Sequence, residues 1–172
     1  MTRWIGVVSG VLCSALLLSG CSVPGGDVTV SRTEPTLGSN WDEEAGAPEV
    51  AAFMRIDVPA DATEVKGAVA VNPQEDNYLL SFVTSERAAE RLAGDLHSPD
   101  PLEPSHVAPT TSAGNALWRH LGLTPPDRLR KTRWVGVCPP CVVKHGRGRV
   151  QWIEMYVHAE GEGRSRVYVQ AF

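Results

Sequence analysis

Cys138 and Cys141 stand two residues apart in Val137-Cys138-Pro139-Pro140-Cys141-Val142-Val143, a spacing that serves three kinds of chemistry. A redox pair needs a thiolate, and the N-terminus of a helix lowers a thiol pKa enough to supply one. The stretch that follows, 142–149, holds two β-branched valines and two glycines, which makes it a poor helix. A metal site needs ligands beyond the pair. His145 completes a C-x2-C-x3-H set, but zinc takes a fourth ligand, and the nearest histidine, His158, falls in a strand-like segment. A disulfide needs two Cα atoms within reach and an oxidising compartment. Pro140 biases Pro139 toward an extended backbone and so favours the tight turn that brings the thiols together. The residues favour a structural disulfide between Cys138 and Cys141 and no metal, with thiol–disulfide exchange at the same pair as the alternative. A bond across so short a loop restricts the unfolded chain little, so its effect would be local.

Cations flank the pair. Arg128, Arg130, Lys131 and Arg133 precede it, and Lys144, His145, Arg147 and Arg149 follow. If the turn draws the flanks together, Arg130, Lys131, Arg133, Arg147 and Arg149 form one basic surface. Such a surface could meet an anionic lipid headgroup, an anionic envelope polymer or an acidic protein partner. The plainer alternative is a solvated edge that discourages strand-to-strand association. Residues 21–110 carry 5 basic and 16 acidic side chains (net −11), whereas 111–172 carry 10 and 4 (net +6). The chain as a whole is at −4, which argues against a nucleic-acid partner.

The sequence contains no G-x-S-x-G, H-E-x-x-H, Walker loop or G-x-G-x-x-G. The short glycine turns around Gly146-Arg147-Gly148 and Gly161-Glu162-Gly163 lack the spacing of a phosphate cradle. The five histidines are scattered. No cofactor is implied, and the expectation is a protein that is not an enzyme.

The compartment is written in the first twenty residues. Arg3 supplies a positive start, 5–18 is apolar or small, and Leu18-Ser19-Gly20 leads into Cys21. A charged start, a short apolar run and small residues at a cleavage point make a secretory leader. A membrane-spanning helix needs about 20 apolar residues. Leu18-Ser19-Gly20-Cys21 resembles the lipobox of bacterial lipoprotein precursors. That resemblance implies cleavage before Cys21, diacylglyceryl transfer to its thiol, acylation of the new N-terminus (palmitate among the usual chains), and residence on the extracytoplasmic face of the cell membrane. A looser resemblance covers Pro59-Ala60-Asp61-Ala62-Thr63-Glu64-Val65 together with Asp76 and Phe82. This P-x-x-A-x-x-V…D-x5-F pattern is similar to small lipoproteins of actinobacterial type, and it implies no activity.

Behind the leader, 21–52 reads as a flexible tether. It is rich in Pro and Gly with little hydrophobic periodicity, and a chain of that length reaches about 30 Å on average. Trp41, beside three acids, is expected to touch the domain locally. The domain itself, 53–172, is expected to be α+β. Strand patterns fall at 54–58, 65–71, 78–84, 133–137, 150–159 and 166–172. Helices are expected from a Ser85 N-cap through Leu96, with Ala88, Ala89, Leu92, Ala93 and Leu96 on one face, and over 112–121 with Gly122 as the C-cap. The order β-β-β-α-α-β-β-β predicts an antiparallel sheet of five to six strands with the two helices packed on one face.

Overall fold

The computed structural model describes residues 40–105, 114–142 and 146–172. The leader 1–20, Cys21, the tether to residue 39, the first two residues of the expected second helix, Lys144 and His145 lie outside them. In chain order the elements are β1 (Asn40–Trp41), α1 (Ala47–Met54), β2 (Thr63–Val71), β3 (Asn77–Ser85), α2 (Glu86–Asp95), β4 (Glu103–Pro104), α3 (Gly114–His120), β5 (Arg133–Val137), β6 (Ile153–Gly161) and β7 (Arg164–Ala171). Single 3-10 turns occupy Pro126–Arg128 and Pro139–Cys141. The strands form one antiparallel sheet in the order β1-β2-β3-β7-β6-β5-β4.

The α+β class and the antiparallel sheet are as expected, and three finer expectations are corrected. The sheet has seven strands rather than five or six, because two-residue strands β1 and β4 are added at its edges. The expected strand at 54–58 is absent, because Met54 closes α1 instead. Val50 and Met54, one turn apart, are both fully buried. Pro48 sits in the first turn, and Glu49 reaches back to accept from the Gly46 N–H at 2.9 Å, a capping arrangement that starts the helix. Arg55 ends it in a left-handed conformation, φ 53°. The alternation of Met54, Ile56 and Val58 is that of a helix end passing into an extended exit. The fold therefore takes in residues 40–52, which the sequence assigns to the tether.

The third correction concerns the layers. One face of the sheet carries Val69, Leu80, Phe82, Val135, Ile153, Met155, Val167 and Val169 against α1 and α2. The other carries Ala70, Leu79, Tyr156 and Tyr168 against Leu117 and Trp118 of α3. The two expected helices thus lie on opposite faces. Trp118 meets Tyr168 edge-to-face at 5.1 Å. Lys66 of β2 donates to the Leu121 carbonyl at 2.9 Å, and Gly122 follows with φ 69°, as a C-capping glycine does. Trp41 stacks on His120 at 3.6 Å with the rings 4° from parallel, the local contact expected of it. Ser85 caps α2 by accepting from the Ala88 N–H at 3.4 Å.

The seat of α1 depends on Gly67. A Cβ there would lie 2.4 Å from Ala47 Cα and 2.7 Å from its backbone N, so the helix start rests directly on the strand. Gly94, within α2, has nothing within 4 Å of the same construction. Gly67→Ala is expected to destabilise by about 1–3 kcal/mol, as overpacking against backbone does. Gly94→Ala should stabilise by about 0.5–1 kcal/mol through helix propensity. Urea midpoints moving in opposite directions would establish both.

Candidate functional site

Cys138 and Cys141 are joined, with their Cα atoms 5.3 Å apart. The pair follows β5 directly and spans the Pro139–Cys141 turn. The Cys138 carbonyl accepts from Cys141 N–H at 2.9 Å and from Val142 N–H at 3.2 Å, and Pro139 is buried beneath. The bond ties β5 to a one-turn 3-10 helix, not to the first turn of an α-helix. Cys138 is half-buried and Cys141 exposed. A closed bond in this setting is common to a permanent staple and to the oxidised form of an exchange pair.

The cations expected to converge on the turn do not form one surface. Arg133 opens β5 and turns to α2, pairing with Glu90 and, at 3.6 Å, with Glu86. Arg147 points elsewhere. Its Nε donates to the Met54 carbonyl at 2.9 Å, and its Nη2 faces the carbonyls of Arg55 at 3.3 Å and Asp95 at 3.5 Å. It therefore caps the C-terminal ends of α1 and α2 together, where a cation also answers the helix dipole. Burial draws the pKa of this guanidinium down, though an arginine keeps its charge. Arg133 meets Glu86 and Glu90 in the first half of the ten-residue α2 and Arg147 the carbonyl of its last residue, positions about 8–14 Å apart along the helix axis. Arg149 lies over the Phe53 ring at 5.5 Å, and Phe53 stacks on Tyr78 at 3.6 Å. Arg130 and Lys131 are exposed before β5. The physical reason is the length of β5: its five residues hold the flanks about 17 Å apart, and a bond across three residues at one end does not shorten that span.

A charged network unforeseen in the sequence lies at the β6–β7 hairpin end. Arg166 is 9% exposed and bonds to Glu160 at 2.6 Å and Glu64 at 2.7 Å. The hydrogen bond from Arg166 holds the Glu64 carboxyl below its ordinary range. Nearby, Asp61 accepts from Thr84 Oγ1 at 2.6 Å and Ser85 N–H at 3.0 Å, with Arg164 at 3.7 Å. These bonds, the one from Thr84 first, bring its pKa from 3.8 to about 2. The described surface includes two open cavities. One of about 420 Å³ is lined by Arg119, Gly122, Leu123, Thr124, Pro125 and Arg128. The other, of about 540 Å³, lies between the β2–β3 turn and Phe172. Among the described residues no helix is long and apolar enough to cross a membrane.

No family model, no curated protein and no solved structure matches the chain.

Two outcomes are expected. Arg147→Ala should lower stability by about 1.5–3 kcal/mol, the range for hydrogen bonds involving charged groups. Arg130→Ala should stay within about 0.5 kcal/mol of the parent. Equal urea midpoints for the two variants would remove the capping role. Asp61 should also set an acid limb. Its folded pKa lies below the unfolded value, so its contribution is present above about pH 4 and is lost as pH falls through 2. Asp61→Asn should be less stable at neutral pH and flatter between pH 4 and 2, measured by denaturant titration at each pH.

Proposed function

We propose that the chain is a lipid-anchored protein of the extracytoplasmic face of the cell membrane, acting as a non-enzymatic binding or envelope-associated module. The observation that carries the extracytoplasmic half of this reading is the closed Cys138–Cys141 bond, which the alternative below shares. Paired thiols persist as disulfides outside the reducing cytosol, the compartment to which the leader and Leu18-Ser19-Gly20-Cys21 would deliver the chain. The internal use of charge supports the second half of the reading. Arg133, Arg147, Arg164 and Arg166 are all engaged with partners of the same chain, as suits a scaffold that presents a surface. The membrane is then the first partner, through the lipid. An anionic envelope component or a protein meeting the exposed Arg130 and Lys131 is a second, and nucleic acid is not one.

One observation favours a different reading. Cys141 is exposed, which leaves a sulfur open to attack by a thiolate, the first step of disulfide exchange. A membrane-tethered thiol–disulfide oxidoreductase using Cys138 and Cys141 is therefore the alternative function.

Intact mass of the chain extracted from its native membrane is expected to show cleavage before Cys21 and an acylated Cys21, and Cys21→Ala should remain at precursor mass. A mature, acylated product from that variant would remove the anchor. In the same preparation the Cys138–Cys141 pair is expected to have a reduction potential below about −300 mV, as structural disulfides do. A potential between about −270 and −120 mV, the range of exchange proteins, would transfer the function to the alternative.

A further inference from the structure

Among the described residues, two aromatic side chains stand outside both core clusters. Trp152 and Phe172 are each half-buried, and neither belongs to the core cluster of either face of the sheet. They flank the ends of β6 and β7 and are joined by a reciprocal backbone pair, Trp152 N–H to the Phe172 carbonyl at 3.1 Å and Phe172 N–H to the Trp152 carbonyl at 3.2 Å. Alternation along the strands puts them on the α3 side, in line with Tyr156 and Tyr168.

The next position along the same face is polar. Glu154 of β6 lies opposite Gln170 of β7. The Gln170 amide donates to Asn77 Oδ1 at 3.0 Å, and Glu154 accepts from the Tyr156 hydroxyl at 3.1 Å. Asn77 and Phe172 in turn line the 540 Å³ cleft, together with Asn72, Pro73, Gln74 and Glu75 of the β2–β3 turn. The Trp152 ring is held in place by what is missing from β5. Gly136 stands opposite Glu154, and a Cβ there would come within 2.7 Å of ring atoms of both Trp134 and Trp152. The two indoles close over a residue that only glycine can be.

The strip therefore offers fixed rings, primary amides and carboxylates, and among the described residues lining the cleft beside it there is no cation. Each amide supplies a donor and an acceptor, and each carboxylate supplies acceptors alone. Rigid rings supply apolar faces with little entropy to lose on binding. The complement of such a surface has many neutral groups that both donate and accept, on a frame with flat C–H faces. A phosphate or uronate would meet the Glu75 and Glu154 carboxylates.

We propose that this strip is a binding site for an uncharged oligosaccharide, with Trp152 as the stacking platform and Glu154, Gln170 and Asn77 as the hydroxyl-reading groups. The inference supplies a ligand class for the binding-module reading. It stands on the placement of Trp152, Glu154 and Gln170 along one face beside the cleft that Asn77 and Phe172 line, so its failure would leave the membrane anchor untouched.

The test uses the full chain in mild detergent, titrated with three neutral tetrasaccharides: β-1,4-linked N-acetylglucosamine, β-1,4-linked glucose and α-1,4-linked glucose. Binding is read by calorimetry and by tryptophan fluorescence. At least one sugar is expected to bind and shift the emission. Trp152→Ala and Gln170→Leu should each weaken it by about tenfold or more, equivalent to ~1.4 kcal/mol. Trp152→Phe, which keeps a ring and guards against misfolding of the alanine variant, should retain most of the affinity. Arg91→Ala, on the exposed side of α2, should change nothing. Absence of binding by all three sugars at millimolar concentration would overturn the proposal. So would affinity unaffected by Trp152→Phe, Trp152→Ala and Gln170→Leu together, or tighter binding of an acidic polysaccharide or a cationic peptide than of any neutral sugar.

Discussion

The pairing of β3 with β7 is the constraint on which the other elements depend. It runs from Tyr78 opposite Ala171 to Ser85 opposite Arg164, in the middle of the sheet, and it is covered on both faces. Leu79, Leu80, Ser81 and Phe82 are all fully buried in succession, as are Val167 and Val169. Strands buried on both sides cannot be served by a single layer of helix. The α1–α2 layer answers Leu80, Phe82, Val167 and Val169, and α3 answers Leu79 and Tyr168. Ser81 avoids leaving a polar atom stranded there by donating to the Val167 carbonyl at 2.8 Å, where an unpaired hydroxyl would cost about 1–3 kcal/mol.

Charge has a structural task around this centre. Arg147 joins the ends of two helices that share one face of the sheet, and Arg166 joins β2 to the β6–β7 hairpin on the other. Each guanidinium holds segments distant in sequence: Arg147 lies 93 residues from Met54 and Arg166 lies 102 from Glu64. Part of the asymmetry between an acidic first half and a basic second half is used in this way. The two halves meet across the fold, acid against base, in the pairs Glu90–Arg133, Asp61–Arg164 and Glu64–Arg166.

What could be read from the sequence was what is local. Ser85 and α2, the Cys138–Cys141 turn, Gly122 at the end of α3 and the strands β2, β3, β5, β6 and β7 all rest on signals a few residues long. The face a helix covers is not such a signal. Leu117 and Trp118 mark an apolar side of α3, but nothing in them names which side of the sheet will receive it. One clue was present: the unbroken apolar run Tyr78-Leu79-Leu80-Ser81-Phe82-Val83 is what double-sided burial looks like in sequence. The path of Arg147 to three carbonyls was out of reach, since a capping arginine and a solvated one are identical in a string of letters. The cleft was hidden for a related reason, because Asn77, Glu154, Gln170 and Phe172 are brought together only by strand register.

β7 follows every other element in the chain, yet it occupies the centre of the sheet. Chain order and sheet order therefore conflict. As the chain is delivered from its N-terminal end, β2 and β3 can form a hairpin early and the Cys138–Cys141 bond can close as soon as its turn emerges. β3 must nevertheless wait, one edge unpaired and both faces apolar, until the segment Arg164–Ala171 arrives. Such a strand is a template for pairing with a foreign chain. The vulnerable period ends not with the start of folding but with the arrival of the last strand, and a chain stalled before Arg164 would hold its most apolar edge open to its neighbours.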